Sequence, residues 1–281
     1  MALRKSTPQT HMYKTISRWT LILLICCSTL FAFGQTAEDD GPYHLSLKRE
    51  LLFGGAGALS IGVGTYVQNQ LDSPLRRELK ITSYDQISGF DRLGSNFELG
   101  NSRKLSDYAL YAGATLPVLF FTDRTMWKDV LPIGLLYAET MAIAGGLTNI
   151  TKAGFARPRP YVYGPEWIPE TPLKSGDQAA FVSGHTSLSA AGSFFFARVF
   201  ADYHPDSKLK PFVWGLAATV PAVTGYLRVR AGRHYPSDVI VGYALGATVG
   251  YLVPTLHKKE ILPKGMRINA GVAGVQLDYW F

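Results

Sequence analysis

Beyond its first 34 residues the sequence has no cysteine, since the only two, Cys26 and Cys27, sit side by side in an apolar run near the start. Thiol chemistry and disulfide stapling are therefore excluded for the rest of the chain, and neither cysteine follows the small residue expected at a lipoprotein cleavage site. Also missing are internal repeats, low-complexity tracts and long runs of one charge. Residues 1–34 contain no acid, while Arg4, Lys5, Lys14 and Arg18 supply four of the +7 net charge; about +3 is left for the remainder, too little for a nucleic-acid footprint. Histidine is scarce, and His11, His44, His204 and His257 stand isolated with no metal-ligand spacing, so neither a metal nor another cofactor is expected.

A basic head followed by the apolar stretch Trp19–Phe33 reads as a secretory signal, with cleavage expected before Gln35 and an uncleaved anchor as the alternative. After the acidic stretch Glu38–Asp40, apolar segments fall at Leu51–Val67, Tyr108–Thr122, Val130–Ile150, Ala179–Phe200, Pro211–Leu227 and Val239–Leu256. They predict an all-α bundle of about six helices. Most approach the ~20 residues needed to cross a bilayer, but glycine, alanine and scattered polar side chains leave insertion open. Glu139, inside one of them, is either a functional group at membrane depth or a satisfied polar core residue.

The polar stretch Gln68–Asp107 is expected to be a connector, with a short helix near Pro74–Ile81 and no chemistry of its own. Arg157–Gln178 holds five prolines and predicts a structured loop over one end of the bundle. Alternation over Ala273–Phe281 predicts a short C-terminal strand, as a packed tail or small hairpin. The expected organisation is thus a signal peptide over 1–34, an N-terminal helix and polar connector over 35–107, a helical core over 108–260 and a strand-like tail over 261–281.

Three clusters carry the chemistry. Lys152 and Arg159, followed by Pro160, close the third apolar segment; they suit either a basic helix cap or a grip on phosphate oxygens. Ser183-Gly184-His185 opens a helix, where free backbone N–H groups and the helix dipole favour an anion. His185 there can serve as a general acid, or simply sit exposed in the first turn. In Arg228…His234…Asp238, Pro236 predicts a helix start, leaving His234 just outside and Asp238 in the first turn. From there the carboxylate can reach back to one imidazole nitrogen and present the other as nucleophile. Lys152, Arg159, Arg228 and the Ser183-Gly184 amides together supply, without a metal, the positive charge that phosphoryl transfer demands.

These residues, in this order and spacing, resemble the type-2 phosphatidic acid phosphatases, a superfamily that also holds class A acid phosphatases and vanadium haloperoxidases. The family pattern is K-x6-R-P, then P-S-G-H, then S-R-x5-H-x3-D. Two positions depart from it: Val182 stands for its proline and Leu227 for its serine. The resemblance implies a helical bundle with the active site at one end, a phosphohistidine on His234 oriented by Asp238, His185 as acid then base, and Lys152, Arg159, Ser183, Gly184 and Arg228 holding the phosphate. It also implies metal-independent hydrolysis of a phosphate monoester or pyrophosphate of a membrane lipid: phosphatidic acid, phosphatidylglycerophosphate, undecaprenyl pyrophosphate or lipid A. The expected location is the bacterial envelope, with a periplasm-facing site in the inner membrane, or the periplasm or outer membrane. Competing readings are a soluble periplasmic acid phosphatase acting on small phosphoesters, a vanadate-dependent haloperoxidase and an inactive membrane protein. Arg157, Arg230 and Arg233 lie outside the pattern and read as solvated charge or as a second anion contact.

Overall fold

The computed structural model describes residues 41–79, 86–94, 100–164, 167–259, 266–271 and 274–279. The expected signal segment lies outside them. The helices are α1 (Leu47–Asn69), the short α2 (Gly89–Arg92), α3 (Ser102–Thr115), α4 (Val130–Phe155), α5 (Gly184–Tyr203), α6 (Lys210–Arg230) and α7 (Pro236–Leu256). The architecture is all-α, as its apolar periodicity predicts. Pro117 ends α3, and the chain continues as a 3-10 turn over Leu116–Thr122. Antiparallel strands β1 (Met266–Gly271) and β2 (Gly274–Tyr279) form a hairpin in which Met266 pairs with Tyr279.

The central helix is α5, with buried faces toward α3, α4, α6 and α7. It lies closest to α7, and the reason is a stripe of glycines four residues apart. A Cβ on Gly242 would come within 2.7 Å of the Ser183 carbonyl oxygen, on Gly246 within 1.9 Å of that of Ser187, and on Gly250 within 2.3 Å of that of Ala191. Contacts this short leave no room for a side chain, so the stripe fixes the register of α7 on α5 and brings the starts of both helices together. Gly246→Ala is expected to destabilise the protein by roughly 1–3 kcal/mol through overpacking against backbone, read as a lower melting temperature in detergent. Gly134→Ala, where a Cβ meets nothing within 4 Å, should melt no lower than wild type.

The main apolar core gathers Phe120, Met126, Leu136, Phe195, Val199 and Val249 at the end of the bundle formed by the start of α4 and the later turns of α5 and α7. The opposite end is left for polar groups. Among the described residues, four segments are long and apolar enough to cross a membrane: Leu47–Asn69, Trp127–Tyr163, Lys210–Arg230 and Pro236–Leu256. Leu51, Leu59, Tyr66, Phe212, Ile240 and Leu252 on these helices are exposed. An exterior so apolar matches a lipid environment better than water.

Two histidines read as isolated have partners. His204 Nε2 lies 2.6 Å from Asp123 Oδ2, and His257 Nε2 faces the carboxylates of Glu50 and Glu139. Neither pairing has a local spacing that a sequence could display, because each joins segments far apart in the chain.

Candidate active site

The polar end of the bundle is built where α4 and α6 finish and α5 and α7 begin. The negative ends of two helix dipoles thus carry Lys152 and Arg228, and the positive end of α5 carries the Ser183-Gly184-His185 turn. All three clusters converge. A Cβ on Gly184 would lie 3.0 Å from Lys152 Nζ, so the lysine rests directly on that turn. Arg159 and Arg228 are within electrostatic reach of Lys152, and all three cations act on His234.

Arg159 arrives on the proline-rich loop. Its backbone N–H donates to the Asp177 carbonyl at 2.8 Å and its Nε to the Gly176 carbonyl at 2.8 Å. The loop is docked in turn by the Tyr161 N–H, which donates to the Gly232 carbonyl at 3.1 Å. Gly232, at φ 63°, takes a left-handed conformation that costs a residue with a Cβ roughly 1 kcal/mol, and this lets α6 turn sharply toward His234.

His234 is 1% exposed. Its Nδ1 lies 2.6 Å from the Ala180 carbonyl oxygen, which can only accept, so Nδ1 carries the hydrogen and Nε2 the lone pair. Burial, reinforced by the charges of Arg159, Arg228 and Lys152, holds this ring well below its usual pKa, and it is neutral at physiological pH.

Asp238 is differently engaged than its spacing suggests. Its Oδ2 is 3.8 Å from His234 Nδ1, beyond hydrogen-bond distance, and instead accepts from the Tyr235 N–H at 2.8 Å. A carboxylate at the third helical position has the N-cap amide as its nearest donor, closer than a side chain four residues back. Its other oxygen accepts from Arg157 at 2.6 Å. Arg157, read as solvated or as an anion contact, is neither: its second nitrogen donates to Asp91 at 2.7 Å, and the guanidinium sits 3.9 Å above the Tyr235 ring. Asp91 also accepts from the backbone and hydroxyl of Ser237. Burial alone would raise the Asp91 carboxyl, but these donors hold it below the usual carboxylate range.

The stretch Gln68–Asp107, expected to carry no chemistry, contributes to this end of the bundle through Asp91 and Asp107. Asp107 Oδ1 lies 2.8 Å from His185 Nε2 and 3.7 Å from Arg228, whose guanidinium also donates to the Ser106 hydroxyl at 3.3 Å. The only sequence signal was an acid at the head of an apolar helix; its partner is 78 residues away. Burial first, and Arg228 next, push His185 down to about 4, with Asp107 opposing them. Ser183 is fully buried, and its hydroxyl pairs with Thr186 at 2.9 Å rather than capping α5. Arg228 is buried with its Nε lacking a hydrogen-bond partner among the described residues. A buried Arg228 beside half-buried Lys152 and Arg159, with fewer acids nearby, calls for an anion.

Known proteins resemble part of this chain. A lipid A 1-phosphatase of Rhizobium etli is 33% identical over 134 residues, 45% of this chain and 51% of that protein. A lipid A 4'-phosphatase of Porphyromonas gingivalis is 32% identical over 78 residues, 28% of this chain and 30% of that one. The chain thus spans about half the length, or less, of these curated relatives. The crystal structure of Aquifex aeolicus LpxE aligns with 61% of this chain and 98% of its own at 22% identity, with a TM-score of 0.41. The PAP2 superfamily model matches residues 133–262, a span that contains every cationic and imidazole group of the site.

Proposed function

We propose that this protein is a membrane-embedded phosphatase that hydrolyses the phosphate ester or pyrophosphate of a membrane lipid through a phosphohistidine on His234. The observation that carries the reading is a buried, neutral His234 locked at Nδ1 by the Ala180 carbonyl within reach of Lys152, Arg159 and Arg228. Phosphate oxygens seated on those cations and on the first amides of α5 present phosphorus to Nε2. Attack forms the N–P bond and breaks the P–O bond of the ester. The leaving oxygen takes a proton from the cationic form of His185, whose Nε2–H is held by Asp107, so that the Nδ1 proton is the one transferred and the ring is left neutral. Water then attacks phosphorus, His185 Nδ1 receives the water proton, the N–P bond breaks and phosphate leaves. No step uses a metal. Ser183, Gly184 and Asp238 hold the turn and the start of α7 in place around these groups.

The apolar exterior and the four membrane-length helices favour a lipid over a soluble ester. The names of the curated relatives favour lipid A as the first substrate to try, ahead of phosphatidic acid, phosphatidylglycerophosphate and undecaprenyl pyrophosphate. The proposed setting is the bacterial envelope, with the site opening on the periplasmic side. The test is phosphate release, with chelator present, from each lipid in mixed micelles and from p-nitrophenyl phosphate. At least one lipid should be turned over ~10-fold or more faster than the soluble ester; hydrolysis of the soluble ester alone, or of nothing, rejects the reading.

A further inference from the structure

At the other end of the bundle, away from the proposed chemistry, three ionisable side chains meet. Glu50 comes from the first turn of α1, Glu139 from the third turn of α4, and His257 follows the last residue of α7. Their potential donor atoms all lie within 4.8 Å of one another. Glu139 is 6% exposed and His257 not at all. Yet both Glu139 oxygens and His257 Nε2 lack hydrogen-bond partners among the described residues.

The tautomer of His257 sharpens the puzzle. Its backbone N–H donates to the Pro254 carbonyl, which frees the Val253 carbonyl to accept from ring Nδ1 at 2.7 Å. The Nε2 lone pair of the neutral ring then points at two carboxylates, 3.2 Å from Glu50 Oε1 and 3.3 Å from Glu139 Oε2. Three acceptors converge, and the Ser46 N–H that donates to Glu50 Oε1 at 3.2 Å leaves Glu139 and His257 Nε2 unserved. The neighbouring charges do not balance them: Arg49 Nε is 3.5 Å from Glu50 Oε1, and its two terminal nitrogens donate to the His44 and Leu256 carbonyls. Two carboxylates and one guanidinium leave a net negative charge in a largely apolar setting.

From this arrangement we infer that Glu50, Glu139 and His257 form a binding site for one divalent cation of the zinc class. Tetrahedral zinc with ligands at about 2.0–2.1 Å separates its donor atoms by about 3.3–3.4 Å, close to the 3.2 and 3.3 Å between His257 Nε2 and the two carboxylates. Imidazole with two carboxylates is a donor set suited to borderline divalent ions. A carbonyl accepting the other ring N–H is the usual support for a ligating histidine. The ion would be structural: Lys152 lies 13 residues beyond Glu139 on the same helix, about 20 Å along its axis. It would tie α1 to α4 and α7. Among its residues α1 buries only Gly57 and Gly64, and between helices in lipid no hydrophobic force replaces a polar cross-link.

The test uses the full chain in detergent with Cys26 and Cys27 changed to serine, stripped with chelator and then titrated with Zn2+ alone. Stripped protein should take up one tight equivalent by elemental analysis and melt at a higher temperature with zinc than without. Glu139→Gln and His257→Gln should each bind at least ~100-fold more weakly and lose the thermal response. Glu50→Gln, at the more exposed edge, provides a third variant if either buried change prevents folding. A stripped wild type that takes up no zinc overturns the inference, as does a folded variant that keeps the equivalent. So does a thermal response to pH alone, unchanged by zinc, which would mean that a shared proton fills the cluster. Because the readouts are binding and melting, failure here leaves the phosphatase reading untouched.

Discussion

His234→Ala is expected to release phosphate at least ~100-fold more slowly than wild type, with chelator in both assays, the scale on which loss of a reacting group is felt. In barrier terms this is about 2.7 kcal/mol. The change removes Nε2 but leaves Lys152, Arg159 and Arg228 in place, so kcat should fall much further than KM rises. Wild-type protein quenched during turnover should carry an acid-labile, base-stable phosphoryl label that the variant lacks. Activity within ten-fold of wild type, or a label that persists, would assign the nucleophile to another group. The buried Ala180 carbonyl contact makes the choice of nitrogen specific: with Nδ1 donating at 2.6 Å, only Nε2 can attack.

The second large effect falls on Asp107→Asn. Asparagine keeps the size of the side chain but removes the charge beside His185 and Arg228. Burial, then the Arg228 charge, lower the affinity of His185 for a proton, and Asp107 works against both. Without it the ring should hold its proton only in more acidic solution. Turnover at neutral pH should drop roughly 10-fold or more, and the optimum should move to lower pH. The sign follows from the role: a general acid must begin protonated, and a folded-state pKa pushed further down is met only by added acid. Asp107 acts through His185, so it is a positioning residue. A uniform loss of rate with an unmoved pH profile would reduce it to a structural contact.

The family motif was legible because it is local: each cluster spans a few residues, and its spacing survives whatever fold surrounds it. The helices were legible for a similar reason, since apolar runs announce themselves within one segment and Pro236 marks the start of the last, although Pro117 cuts the run Tyr108–Thr122 short. The partners of those motifs were not. Asp107 reaches His185, Asp91 reaches Arg157 and Ser237, and Glu139 reaches His257 only across separate helices. Asp238 shows the complementary failure, because its spacing suggested a bond to His234 while the nearer Tyr235 amide took the carboxylate.

What the sequence determined by itself is therefore the all-α class, the three candidate clusters and their order, since these depend on residue type and short-range geometry. Tertiary structure alone decided which acid faces which imidazole, which nitrogen of His234 is free, and that Glu50, Glu139 and His257 share one pocket. Those facts arise from helix register, which the glycine stripe of α7 sets against the carbonyls of α5. Register is a property of two surfaces in contact, and no single stretch of chain contains it.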